Sequence, residues 1–285
     1  MENMKVTVIG AGTMGAGIAQ AAAEAGHEVM LADVSPDLAE KAKQKIAGYL
    51  RRRVEKNELT AGDADAVLAR IQPSAGLDGA ASAGIVIEAI VEDPRKKREV
   101  FTTLNRLCPA GAILATNTSA LSISDLASVV TNPARVVGIH FFNPVAKMKL
   151  VEVIKGKTTS DETVHAALAF ARRLNKTPVL VNESPGFIVN RLLIPMINEA
   201  VCALADGVAD REAIDAAMKL GAGHPMGPLE LADLIGLDIC LHIMEIFEEE
   251  MGRVKYAPCP LLREMVQKGQ LGRKTGRGFY EYPAR

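Results

Sequence analysis

The segment "RVVGIHFFNPVAKMKLVEVI", residues 135–154, holds His140 between two strand-like patterns. The short link between them contains Pro144, which predicts an antiparallel hairpin. A turn centred on Ala146 would place His140 opposite Glu152. A carboxylate at hydrogen-bond distance would fix the imidazole tautomer and stabilise its charged form, as a general base requires. The hairpin alone leaves a second interpretation open, in which His140 is packed in an apolar core.

A glycine-rich segment, "VTVIGAGTMGAG", supplies a second chemical function. Gly10 permits a tight turn, Gly12 lets the backbone approach a pyrophosphate, and Gly15 lets the following helix pack on the strand. The carboxylate of Asp33, at the end of the next strand pattern, is placed to accept hydrogen bonds from ribose hydroxyls, which favours NAD. A glycine-rich turn in another α/β fold is the alternative. The predicted loop contacts are Gly10, Gly12, Thr13, Met14 and Gly15.

Strand and helix patterns alternate through the first half of the chain, which is typical of parallel strands with crossover helices. Two helical patterns between Ser35 and about Arg70 predict a helical hairpin inserted after the second strand. From about residue 184 the patterns are helical, and we expect Ser184 to cap a helix with Pro185 in its first turn. The predicted fold class is α/β: a Rossmann-like dinucleotide-binding domain (1–184) followed by an all-α dimerisation domain (185–285).

The composition of the 285 residues narrows the partners. Lysine plus arginine (33) nearly equals aspartate plus glutamate (34), and no basic stripe is visible, which argues against nucleic acid. The four cysteines show neither disulfide nor zinc spacing, so we expect no metal. Neither a leader pattern nor a run of membrane-spanning length is visible, so we expect no membrane contact and a cytoplasmic location. The apolar helices of the second half predict a homodimer or higher homo-oligomer.

Six segments together resemble the L-3-hydroxyacyl-CoA dehydrogenases, and within them the monofunctional bacterial 3-hydroxybutyryl-CoA dehydrogenases. They are "GAGTMG", "TNTSALSI", "HFFNP", "LVEVI", "SPGFIVNR" and "HPMGPLELADLIGLD". The similarity covers essentially the whole chain, and "HFFNP" with "SPGFIVNR" is far more specific than the glycine loop. It implies reversible oxidation of a short-chain 3-hydroxyacyl-CoA with NAD, and a role in fatty acid and butanoate metabolism.

The resemblance also implies roles for particular residues. His140 matches the catalytic base, Glu152 its partner, and Ser119 and Asn190 match residues that contact the substrate. The implied cofactor contacts outside the glycine loop and Asp33 are Glu92, Lys97, Asn117, Asn143 and Lys274. Taken without the family, Ser119 could instead cap a helix, Glu92 could be a solvated charge, and Lys274 could be an ordinary turn residue. Asn190 falls on an apolar helical stripe, where it could satisfy buried backbone or face a ligand.

Coenzyme A is polyanionic, so the implied substrate requires positive charge. Arg52 and Lys56 in "LRRRVEK" share one helix face and are the predicted contacts for its nucleotide end. The alternative is an ordinary solvated face. Two other functions remain open on the same scaffold: a dehydrogenase of free hydroxy acids or sugar acids, and a non-catalytic NAD-binding protein.

Overall fold

The sheet that carries the predicted site has eight strands in the order β3-β2-β1-β4-β5-β6-β7-β8 in a computed structural model, which describes residues 4–252 and 256–283. The first six strands run parallel in the 3-2-1-4-5-6 order of a dinucleotide-binding fold. β7 runs antiparallel to β6, and β8 runs parallel to β7. The strands are β1 Lys5–Ile9, β2 Glu28–Asp33, β3 Ile71–Ala75, β4 Ile85–Glu88, β5 Ile113–Thr116, β6 Val136–Phe141, β7 Leu150–Lys155 and β8 Thr177–Asn182.

Eleven α-helices lie in the described ranges. Those between the strands are α1 Thr13–Glu24, α2 Pro36–Glu55, α3 Ala61–Ala69, α4 Pro94–Leu107, α5 Ile123–Ala127 and α6 Asp161–Arg173. The remaining helices are α7 Val189–Ala205, α8 Arg211–Gly221, α9 Pro228–Ile235, α10 Leu237–Met251 and α11 Pro260–Gln267. α2 and α3 form the helical hairpin predicted after the second strand. Ser35 caps α2 through its side chain, with Pro36 in the first turn.

One strand escaped sequence-based prediction. β3 has the sequence "IQPSA". It shows neither the alternation of apolar and polar residues nor the high β-propensity that are typical of a strand, because it contains Pro73 and Ser74. It is one of the two edge strands of the sheet, and β2 is its only strand partner among the described residues. Proline, which cannot donate a backbone hydrogen bond, is tolerated at such an edge.

The chain divides into two compact units between Ser184 and Pro185, where the sequence pattern changes. The expected helix start at Pro185 is wrong, because α7 begins only at Val189. Gly186 and Phe187 have φ angles of 69° and 54°. Two consecutive left-handed residues form a turn that a right-handed helix cannot continue through.

The helical unit has a core of its own, built around residues such as Ile197, Leu237 and Phe247. Two buried aspartates fix the C-terminal segment to it. Asp233 accepts the backbone N–H groups of Phe279 and Tyr280, each at 2.9 Å. Asp215 accepts the hydroxyl of Tyr280 at 2.9 Å and also binds the start of α9. None of the helices in the described ranges is long and apolar enough to cross a bilayer.

Candidate active site

His140 and Glu152 are cross-strand partners in the antiparallel pair β6 and β7, as the symmetry of the hairpin predicted. The Nδ1 atom of His140 lies 2.7 Å from a carboxylate oxygen of Glu152. Their residues are 5% and 1% exposed, so the hydrogen bond is shielded from water. The ring of Phe142 lies with its centroid 4.5 Å from that of the imidazole. Glu152 thus binds the Nδ1 side of the imidazole and fixes the orientation of the ring.

The glycine loop has the close approaches that its sequence predicted. Gly10 has a φ of 99°, and a Cβ there would lie 2.5 Å from the carbonyl oxygen of Ala89. A Cβ on Gly15 would lie 1.7 Å from the carbonyl oxygen of Gly10. By contrast, no heavy atom of the described residues lies within 4 Å of a Cβ placed on Gly12, and none of their side chains caps α1, which Gly12 precedes. The start of α1, with Thr13 and Met14, therefore presents a bare helix N-terminus suited to a pyrophosphate.

Asp33 is the last residue of β2, so it lies at the carboxyl ends of the parallel strands, as the glycine loop does. One carboxylate oxygen accepts the N–H of Ala11 at 2.6 Å, and the other accepts the N–H of Val34 at 2.7 Å. These bonds fix the carboxylate against the glycine loop. Each oxygen keeps a further lone pair, so the group can still accept hydrogen bonds from a ribose.

A buried ion pair lies beneath this edge. The ammonium of Lys97, on α4, is 2.7 Å from Glu88 and 3.1 Å from Glu92. Glu88 and Lys97 are 0% and 1% exposed. The other oxygen of Glu88 accepts the hydroxyl of Thr116 at 2.7 Å, so β4, β5 and α4 converge on one carboxylate.

Glu92 connects this ion pair to the loop after β5. It accepts the backbone N–H of Ser119 at 2.9 Å and the hydroxyl of Thr118. Asn117 fixes the neighbouring strand, because its side-chain oxygen accepts the N–H of Phe141 at 2.9 Å. Glu92 is thus a structural anchor with its side chain 32% exposed, and not a fully solvated charge.

The helix start near Ser119 is capped by other residues. Ser122 is the N-cap of α5 and accepts the N–H of Asp125. The carboxylate of Glu183 accepts the Ser122 hydroxyl at 2.7 Å and the Ser124 N–H at 2.8 Å. Burial acts to raise the pKa of Glu183, but hydrogen bonds from the hydroxyl and N–H of Ser124 and from the Ser122 hydroxyl outweigh it and lower the pKa below its ordinary value. Ser119 is therefore not needed as a helix cap.

The other predicted site residues occupy separate positions. Asn143 is exposed just after β6, and Arg52 and Lys56 are exposed at the end of α2. In the helical unit, Asn190 is half-buried in the first turn of α7. The Lys274 ammonium lies 2.5 and 2.6 Å from the two carboxylate oxygens of Asp238, so it is an ion-pair partner within its unit.

Sequence reasoning missed Glu88. Glu88 lies inside the strand-like run "GIVIEAIV", where an acid among apolar residues was the available signal. Such a group must be paired when buried, and Lys97, nine residues later, supplies the charge. Glu88 lies in a strand and Lys97 in a helix, so neither the strand period nor the helix period relates the two residues.

The fold and site together define a dinucleotide-binding α/β protein with a buried histidine–carboxylate pair. The family described as "3-hydroxyacyl-CoA dehydrogenase, NAD binding domain" matches residues 5–184, and "3-hydroxyacyl-CoA dehydrogenase, C-terminal domain" matches residues 186–282. The chain belongs to the 3-hydroxyacyl-CoA dehydrogenase family. The resemblance is therefore confirmed, and so is the predicted fold class of a Rossmann-like α/β domain followed by a helical domain.

The chain is similar to individual relatives over nearly their full lengths. The chain is 52% identical to a probable 3-hydroxybutyryl-CoA dehydrogenase of Bacillus subtilis, over 99% of this chain and 98% of the relative. It is 49% identical to the 3-hydroxybutyryl-CoA dehydrogenase of Clostridioides difficile, with 98% and 99% covered. The crystal structure of (S)-3-hydroxybutyryl-CoA dehydrogenase from Ralstonia eutropha matches with a TM-score of 0.97 and 47% identity, covering 99% of this chain and all of that one.

The buried ion pair leads to a stability prediction. Glu88→Gln leaves the Lys97 ammonium buried without its nearer carboxylate. We expect this change to lower the free energy of unfolding by about 3 kcal/mol. Glu88→Gln combined with Lys97→Met removes both charges and should recover part of that loss. Urea denaturation followed by circular dichroism measures both, with Glu99→Gln on the exposed side of α4 as the control. Equal stability of Glu88→Gln and the control would refute the role of the pair.

Proposed function

We propose that the protein catalyses the reversible NAD-dependent oxidation of (S)-3-hydroxybutyryl-CoA, or another short-chain 3-hydroxyacyl-CoA, to the 3-ketoacyl-CoA. The observation that carries the proposal is the buried His140–Glu152 hydrogen bond in β6 and β7, on the same sheet as the glycine loop. The family supplies the reaction class, and the relatives named 3-hydroxybutyryl-CoA dehydrogenase support a short acyl chain.

The residues of the glycine loop fit a dinucleotide. Open space above Gly12 and the bare start of α1 suit the pyrophosphate, and Asp33 suits the ribose hydroxyls. Bound NAD would supply the acceptor for the hydride that leaves carbon 3. Glu92, Lys97 and Asn117 would shape the floor of the cofactor site. Asn143 and Lys274 are further proposed contacts on its nicotinamide side.

His140 does the proton chemistry in this proposal. Its Nε2 removes the proton of the 3-hydroxyl during oxidation and returns it during reduction, acting as general base and then general acid. Glu152 holds the imidazole through Nδ1 and stabilises the imidazolium that forms, as an opposite charge in a water-poor environment does. Ser119 and Asn190 orient the substrate oxygens, so that the reacting carbon is held in one geometry.

The nucleotide end of coenzyme A requires cations. Arg52 and Lys56 are exposed and one turn apart, and no ion pair involves either in the part of the chain that the structure describes. Their neighbour Arg53 is already engaged, because it contacts Glu24 at 2.8 Å. Arg52 and Lys56 are therefore the proposed phosphate contacts.

We also propose that the protein is cytoplasmic. It would form a homodimer or higher homo-oligomer through its helical unit. Several large apolar side chains of that unit are exposed: Ile188, Leu192, Val208, Leu220, Leu234 and Ile239. Exposed apolar area of this kind is typical of an oligomer surface.

The assay that tests the function follows NADH oxidation with acetoacetyl-CoA, longer 3-ketoacyl-CoAs and free 3-keto acids. We expect turnover of the short thioester and none of the free acid. His140→Gln should lower kcat by about a hundredfold or more, while the Kd of NADH, measured by its fluorescence, stays within twofold. Exposed His165→Gln is the control. Unchanged turnover in His140→Gln would reject the base, and turnover of free acids alone would reject the substrate class.

The CoA contacts predict a change in substrate affinity. Arg52→Glu with Lys56→Glu should raise the KM for acetoacetyl-CoA about tenfold or more, because two attractions become repulsions. The KM for NADH should change much less. Arg106→Glu with Lys157→Glu, two other exposed cations, makes the same change in net charge and serves as the control. Equal KM values in the two double variants would show that only overall charge matters.

The proposed assembly is tested by sedimentation. A chain of 30.3 kDa should sediment as a species of at least twice that mass at micromolar concentration. Replacing Leu192, which is 69% exposed on α7, by glutamate should shift the equilibrium towards monomer, because a charge would enter the proposed apolar interface. A wild-type protein that sediments as a monomer would contradict the proposal.

A further inference from the structure

A cavity of about 610 Å³ lies beside the glycine loop, between Asp33 and the second helix. Its wall includes Gly12 and Asp33 on one side, and Lys41 and Lys45 of α2 on the other. The same wall therefore carries the carboxylate that is expected to meet a ribose and two cations that the proposed function does not use.

Asp33 is a fixed negative charge in this cavity. Both of its oxygens accept backbone N–H groups, from Ala11 and Val34, so the carboxylate cannot rotate away without losing hydrogen bonds. A ribose whose 2′-hydroxyl carries a phosphate would bring a second anion against it. Like charges at such distances repel, and the carboxylate thus favours the unphosphorylated dinucleotide.

The two lysines oppose that preference. They are one helical turn apart, so their ammonium groups share a face of α2. Both are exposed, and within residues 4–252 and 256–283 neither takes part in an ion pair. Among the described residues that line the cavity, Asp33 is the one acidic residue. Without its charge, the wall would carry two cations and no anion.

We propose that Lys41 and Lys45 form a latent subsite for the 2′-phosphate of a phosphorylated dinucleotide, and that the charge of Asp33 masks it. This inference rests on the proposed function only in placing the adenosine end of the cofactor at Asp33. It adds that cofactor preference here is a balance between one carboxylate and two ammonium groups. Removing the carboxylate charge should therefore be sufficient to admit NADPH.

Binding titrations that follow nicotinamide fluorescence test the balance without any acyl substrate. Asp33→Asn keeps an acceptor oxygen for Ala11 and removes the charge. We expect it to shift the ratio of the NADPH and NADH dissociation constants at least about tenfold towards NADPH. Adding Lys41→Ala and Lys45→Ala should abolish that shift. Adding Lys43→Ala instead should preserve it, because Lys43 lies on the same helix but outside the cavity wall.

A second measurement covers the case in which Asp33→Asn does not fold. In the otherwise unchanged chain, Lys41→Ala with Lys45→Ala should weaken competition by 2′,5′-ADP about threefold or more relative to 5′-AMP. The proposal is overturned if the lysine changes affect both nucleotides equally, or if the NADPH gain of Asp33→Asn survives them. Failure of the acyl-CoA assay would leave these binding results intact, so the two proposals fail independently.

Discussion

The buried hydrogen bond between His140 and Glu152 is the interaction on which the rest of the site depends. It joins two groups that carry opposite charges when the imidazole is protonated, in a place where neither is more than 5% exposed. Burying such groups apart from each other would cost several kcal/mol, so each requires the other. The geometry exists because β7 reverses direction after β6 and brings position 152 opposite position 140.

The six parallel strands of the sheet supply the other requirement, a rigid set of carboxyl-terminal strand ends. Asp33, Glu88 and Thr116 are the last residues of β2, β4 and β5, and the glycine loop follows β1. Parallel strands bring these ends together, and the Glu88–Lys97 pair ties two of them to α4. Through Glu92 the same pair fixes the backbone at Ser119. The buried Glu88–Lys97 pair thus determines where Ser119, a polar residue nearer the surface, lies.

Much of this arrangement was predictable from the sequence. The glycine spacing, Asp33 and the register of the His140 hairpin follow from steric limits and from the two-residue period of strands. β3 was not predictable, because Pro73 hides an edge strand, and the start of α7 was mispredicted because Phe187 adopts a left-handed backbone. The Glu88–Lys97 contact needed the three-dimensional structure, since it joins a strand to a helix. The roles given to Asn190 and Lys274 come from the family resemblance and remain predictions.

We propose that His140 and Glu152 act as one unit. The rate of hydride transfer in a single turnover of NADH with acetoacetyl-CoA tests it in His140→Gln, Glu152→Gln and the double variant. If Glu152 acts through His140, the double variant should be about as slow as His140→Gln alone, because the second change removes nothing further. If the two losses instead multiply in the double variant, the residues act independently, and Glu152 does not act through His140.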